Sequence, residues 1–177
     1  AFDREVPLLP VFVWFYILAF PFWAVGYLLA ARRGKDMFYR FVATDLTIHF
    51  ICFICFILIP TTNIRPEIPG NTLSEKILAL VYSLDGGNSP SNLFPSIHCY
   101  VSWMCWKGVE GSEKVPKWYQ RFSLVFAILI IISTQVLKQH YIVDAAAALL
   151  LVEFFWRFYQ KGQRHKWVVH VFAHKKK

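Results

Sequence analysis

Residues 122–144 run FSLVFAILIIISTQVLKQHYIVD. The first part, Phe122 to Leu137, carries no charge and approaches the ~20 apolar residues needed to cross a bilayer. A polar break, Lys138-Gln139-His140, follows, and a second apolar run opens at Tyr141 and extends to Tyr159. Two more runs of this kind lie upstream, Leu8 to Ala31 and Phe41 to Ile59. A shorter and more polar one, Phe94 to Val109, belongs with them. It opens on the helix-start signal Pro95-Ser96 and carries Ser96, His98 and Ser102 at spacings that face a bundle interior. The sequence therefore predicts an all-α, polytopic bundle of five spanning helices, one integral-membrane domain over residues 1–177. A composition of 56% hydrophobic and 18% aromatic residues excludes an ordinary soluble domain.

The formal net charge is +8, yet nucleic acid is excluded as a partner because the basic residues are sorted by loop rather than gathered into a patch. Arg32, Arg33, Lys35 and Arg40 fill the first connection, and Lys107, Lys114, Lys117 and Arg121 the third. Arg157, Lys161, Arg164, Lys166 and Lys175 to Lys177 fill the tail. The long second connection, Pro60 to Leu93, has only Arg65 and Lys76, and the fourth only Lys138. Alternate basic connections put the basic side in the cytoplasm, where the tail also meets anionic headgroups. The expected location is a cell membrane, multi-pass, with the second and fourth connections on the non-cytoplasmic face. The sequence opens at Ala1 rather than Met, so an additional N-terminal helix or a cleaved signal is expected ahead of it.

The chemistry concentrates on that face. His140 and Asp144 are four apart at the head of a helix, so the carboxylate can hold one ring nitrogen and leave the other as a nucleophile. His98 opens the candidate helix Phe94 to Val109 and can donate a proton; the N–H groups after Pro95 suit an anion. Arg65 follows the outer end of the second helix, which brings Arg65, His98, His140 and Asp144 to one membrane boundary. Together they point to phosphoryl transfer. Asp45 and His49 have the same spacing but lie eleven residues or more from Pro60, roughly 16 Å deeper at 1.5 Å per residue. They are expected to form a buried structural hydrogen bond. His165, His170 and His174 are expected in a solvated, lipid-facing tail. Cys52, Cys55, Cys99 and Cys105 read as small packing residues. The connection from Pro60 to Leu93 is broken by prolines and glycines apart from one amphipathic piece, Thr72 to Leu84.

These residues give the chain a likeness: from Pro60 to Asp144 it resembles the type 2 phosphatidic acid phosphatase superfamily of membrane lipid phosphatases and phosphotransferases. That family's pattern is Lys, six residues, Arg-Pro; then Pro-Ser-x-His; then Ser-Arg, five residues, His, three residues, Asp. Arg65-Pro66 matches the end of the first motif, Pro95-Ser96-Ile97-His98 the second, and Ser133, His140 and Asp144 the third. The first-motif lysine position holds Leu58 and the third-motif arginine position Thr134. Each lost cation removes a partner for phosphoryl oxygens, commonly ~3 kcal/mol of transition-state stabilisation. Lys138 is the expected substitute, with Lys76 a weaker one. The same losses resemble the branch containing inositol phosphorylceramide and sphingomyelin synthases.

The resemblance implies that His140 attacks phosphorus, Asp144 orients it and His98 protonates the departing oxygen, while Arg65, Ser96 and Lys138 hold the phosphoryl oxygens. The implied substrate is a lipid phosphate in the bilayer, with no cofactor and no metal, since no clustered carboxylates stand ready to hold one. Hydrolysis is the favoured outcome, because nothing besides the Asp85 to Pro90 turn resembles an acceptor site. Transfer of a headgroup to a lipid alcohol is the alternative, and a non-enzymatic lipid-binding or transport protein is a third reading.

Overall fold

The computed structural model describes residues 2–87 and 90–173. A short helix α1 (Phe2–Glu5) and a 3-10 turn (Pro10–Phe12) precede α2 (Val13–Ala31) and α3 (Lys35–Leu58). Then come α4 (Leu73–Leu84), α5 (Ile97–Val109), α6 (Lys117–Val136), α7 (Ile142–Gln160) and α8 (Lys166–Ala173). Among the described residues there is no strand, only an isolated bridge between Thr62 and Ser91 across the long connection. The class is all-α.

Among the described residues three helical stretches are long and apolar enough to cross a membrane: Pro10–Ala31, Lys35–Leu58 and Lys117–Val136. The other two expected spans depart from that description for separate reasons. Helix α5 has 13 residues, roughly 20 Å of the ~30 Å hydrocarbon layer. It packs against α2, α6 and α7 and buries Cys99, Tyr100, Met104, Cys105 and Val109 completely. A helix jacketed by protein needs less lipid-facing apolar surface, which accounts for its polar composition. Helix α7 has 19 residues but carries Asp144, Glu153 and Arg157. Glu153 is partnered inside the bundle, accepting from Trp103 Nε1 at 2.9 Å and pairing with Lys107 Nζ at 3.1 Å. Close approach of α2 to α5 depends on Gly26, where an added Cβ would come within 2.6 Å of Cys105 Sγ.

The basic end of the bundle does more than carry charge. Arg33 donates to the carbonyl of Gly108 at 3.1 Å, and Arg40 to those of Tyr159 and Gln160 at 2.8 and 2.7 Å. Cations thereby satisfy the last carbonyls of α5 and α7, the groups a helix cannot bond internally. Arg40 also pairs with Asp36 at 2.7 Å, and α3 begins at Lys35 rather than at Phe41. The tail departs from the expected solvated segment. Helix α8 packs on α3, burying Val168 against Ala43 and Tyr159. His165 is buried, with Nε2 2.9 Å from Asp36 Oδ1. His170 is exposed. His174 and Lys175 to Lys177 lie outside the described residues.

At the opposite end meet the C-termini of α3 and α6 and the N-termini of α2, α5 and α7. Helix α4 closes this end. Thr72 caps it, accepting from Glu75 N at 3.2 Å while Glu75 Oε2 accepts from Thr72 N at 3.0 Å. Tyr82 pins its far end by donating to Leu137 O at 2.7 Å. Burial pushes the Tyr82 phenol up to about 12, against the pull of Arg65, so it stays a donor.

Candidate active site

The turn from α6 into α7 places the central histidine. Leu137 N donates to Ser133 O, Lys138 N to Gln135 O, and both Gln139 N and His140 N to Thr134 O, at 2.9 to 3.1 Å. Lys138 takes the left-handed conformation, φ 53°, that ends a helix at its first residue beyond the cap. Asn63 Nδ2 donates to Lys138 O at 2.7 Å and braces the turn from the long connection. Thr134, in the family's arginine position, is fully buried and turns its hydroxyl back to Ile131 O at 2.8 Å. Leu58, in the lysine position, is 72% exposed at the end of α3. Neither residue lines the cavities that border His140.

His140 Nδ1 stands 3.4 Å from Asp144 Oδ2, with the Asp144 side chain buried and that of His140 9% exposed. The contact lacks hydrogen-bond geometry, and Nδ1 has no partner. Asp144 is held independently: Tyr141 N donates to its Oδ2 at 2.8 Å, and Ser96 N donates to its carbonyl at 3.3 Å. Ser96 is itself fully buried, its hydroxyl accepting from Cys99 N at 3.3 Å as the cap of α5. Thus Ser96 ties the start of α5 to the start of α7 and spends its amide and hydroxyl on that junction. One turn along, the His98 ring lies 6.2 Å from that of His140, centroid to centroid. It stacks on Tyr16 at 4.4 Å and is flanked by Trp23 at 5.2 Å. Its Nε2 has no partner.

Arg65 is buried and serves the end of α4. Its Nη1 donates to the carbonyls of Asp85 and Gly87 at 2.8 and 3.0 Å, and Nη2 bonds Asp85 Oδ2 and Gln139 Oε1. The guanidinium lies 4.6 Å over the Tyr82 ring, and Nε remains unpartnered. Lys138 Nζ is committed to two main-chain carbonyls, those of Asp3 and Val6. Asp3 Oδ1 in turn accepts from Ile142 N at 2.8 Å, so a carboxylate sits on the first turn of α7.

Two cavities meet at His140. One of about 480 Å³ is lined by Asp3, Asn63, Arg65, Gln135, Lys138 and His140. The other, of about 470 Å³, is lined among others by Tyr16, Phe20, Trp23, Asp85, His98 and His140. The structure thus brings His98, His140, Asp144, Arg65, Ser96 and Lys138 to one end of the bundle. Lys76 is not among the residues lining either cavity. Three residues of this neighbourhood were not singled out from the sequence, Gln139, Asp3 and Tyr16, and Asp85 was named only as the start of the turn resembling an acceptor site. The one available signal was Gln139, an uncharged polar residue in the break just before His140.

The arrangement defines a class: a helical protein with apolar, membrane-length helices, in which α5 and the start of α7 bring two histidines and a buried carboxylate to the end of the bundle that holds a buried arginine. The chain belongs to the PAP2 superfamily, whose family model matches residues 1–157. No curated protein and no solved structure matches it. Membership supports an enzyme, and fits a lipid phosphatase or phosphotransferase.

Proposed function

We propose that the protein is a membrane phosphatase that removes phosphate from a lipid phosphate or diphosphate at the non-cytoplasmic face, through a phosphohistidine on His140. The observation that carries this reading is the pairing of His140 with Asp144 at 3.4 Å, where two cavities meet and the His98 ring stands across from it. With Nδ1 turned to the carboxylate, Nε2 attacks phosphorus. The phosphorus–oxygen bond to the lipid breaks as His98 gives its proton to the departing oxygen. Water, deprotonated by His98, then displaces the imidazole and releases phosphate. A phosphoryl anion between the two rings favours the imidazolium form of the donor. Arg65 supplies the fixed positive charge, Lys138 stands on the wall of the same cavity, and Ser96 holds the helix starts in register.

Helices α5 and α7 complete a five-span bundle in this reading, with the basic connections cytoplasmic. Cysteines introduced at Asn71 are then labelled by an impermeant reagent from outside, and those near Ser112, such as at the exposed Glu113, are not. Among the described residues no three His, Cys, Asp or Glu side chains lie close enough to hold a metal, so activity is expected to survive EDTA.

Transfer to a lipid alcohol is the second reading, favoured by one observation: His140 borders two cavities, and the second has Phe20 and Leu84 on its rim, 56% and 79% exposed. A donor and an acceptor can approach from different sides. The purified protein, offered phosphatidate, phosphatidylglycerol phosphate, a polyprenyl diphosphate and ceramide with a phospholipid donor, decides by product mass. Free phosphate supports the hydrolase and a new phosphodiester the transferase. No product from any of them contradicts both.

A further inference from the structure

Gln139 is 1% exposed, and its amide is half satisfied. Oε1 accepts from Arg65 Nη2, whereas Nε2 has no partner. The orientation is fixed by chemistry, because a flipped amide would turn its NH2 against the guanidinium. Burying an unpaired amide donor costs about 1–3 kcal/mol. The same hydrogen-bonded pair carries a second unpartnered buried donor, Arg65 Nε. Arg65 lines one cavity and its partner Asp85 the other; Gln139 lines neither, but is bonded to Arg65 and directly precedes His140, which lines both. Two spare donors beside a nucleophile call for a group that only accepts hydrogen bonds, and a phosphoryl group is one.

The positions that hold cations in the family pattern offer no competing ligand. Thr134 bonds Ile131 O, Leu58 faces outward, and the Lys138 ammonium is engaged by Asp3 and Val6. Building on the phosphoryl-transfer reading above, we propose that Gln139 binds the substrate: its Nε2 donates to a phosphoryl oxygen, a neutral donor in place of the absent third-motif cation. Arg65 both fixes the amide through Oε1 and presents Nε to the same group. The backbone of Gln139, bonded to Thr134 O at 2.9 Å, sets the donor at the end of α6, one residue from the nucleophile.

Gln139→Glu separates this role from a structural one. A carboxylate keeps, and strengthens, the contact to Arg65 but has no N–H to give. The probe is orthovanadate, titrated into the full chain in detergent and followed by inhibition of turnover and by thermal shift. The expected result is a melting temperature at or above that of the wild type, with orthovanadate bound roughly 10- to 100-fold more weakly at about pH 8. If Gln139→Glu does not fold, Gln139→Met carries the test, removing the donor without adding charge. Binding within about threefold of wild type by either variant overturns the proposal. Wild-type protein that binds neither orthovanadate nor inorganic phosphate overturns the phosphoryl-transfer reading and this proposal with it; wild-type binding with an unaffected variant overturns the role of Gln139 alone.

Discussion

Two His–Asp pairs four residues apart occur in this bundle, and they have different surroundings. At the start of α7 the His140 and Asp144 side chains, 9% and 2% exposed, stand 3.4 Å apart, and His140 Nδ1 is left without a hydrogen bond between two cavities. In α3 the His49 and Asp45 side chains approach to 3.6 Å, and His49 is 50% exposed. There Asp45 accepts from the Tyr27 hydroxyl at 2.7 Å and the His49 ring bonds the Tyr100 hydroxyl. The second pair is saturated by its neighbours and lines none of the cavities at the α7 pair. Identical spacing thus produces a closed structural network in one place and an unfinished one in the other. Unmet hydrogen-bonding capacity beside open volume is the mark of a site; spacing alone is not.

The largest expected effect breaks or keeps that contrast. His140→Gln should lower turnover by at least about 1000-fold with the protein still inserted and helical by circular dichroism, whereas His49→Gln should stay within about threefold. Equal losses would erase the distinction between the pairs. The carboxylates sharpen it. Asp144→Asn should cost about 100-fold or more in kcat, as the partner of a histidine nucleophile does when it loses its charge. Asp45→Asn should instead appear as a lower melting temperature, by about 1–3 kcal/mol of stability, with kcat little changed.

The cations rank lower. Arg65→Lys keeps a charge but loses the planar fork that reaches Asp85, Gly87 and Gln139, so kcat/KM should fall roughly 10- to 100-fold, with a lower melting temperature. Lys138→Ala should fall less, about threefold to tenfold, because its ammonium is held by the carbonyls of Asp3 and Val6. A loss equal to that of Arg65→Lys would mean that substrate draws Lys138 away from those carbonyls.

Much of this arrangement was legible in the sequence where the signal is local. Apolar runs foretold α2, α3, α5, α6 and α7, Pro95-Ser96 marked the start of α5, and the amphipathic piece Thr72 to Leu84 became α4. The placing of Arg65, His98 and His140 at one end followed from counting helices. What was not legible is set by long-range partners. Arg65 meets Asp85, which is 20 residues away, and Gln139, 74 away, so its burial had no local sign. Lys138 was read as a free cation because nothing nearby announces the carbonyls of Asp3 and Val6. The basic tail hid the packing of Val168 on α3 and the His165–Asp36 contact, since charge density there outweighed a short apolar face. Gln139 carries no charge and fills no motif position, so nothing local announced its burial or its contact with Arg65.

The central claim is a covalent phosphoryl group on His140, and His98→Ala offers the most direct measurement. With p-nitrophenyl phosphate the leaving group departs without a proton, so this variant should form the intermediate but lack the base that activates water for its hydrolysis. The reaction is quenched in alkali, where phosphohistidine survives, then digested and analysed by mass. A phosphoryl adduct should appear on the peptide containing His140 and be absent from His140→Gln protein treated in the same way. An adduct on another residue, or turnover by His140→Gln protein, would contradict the account.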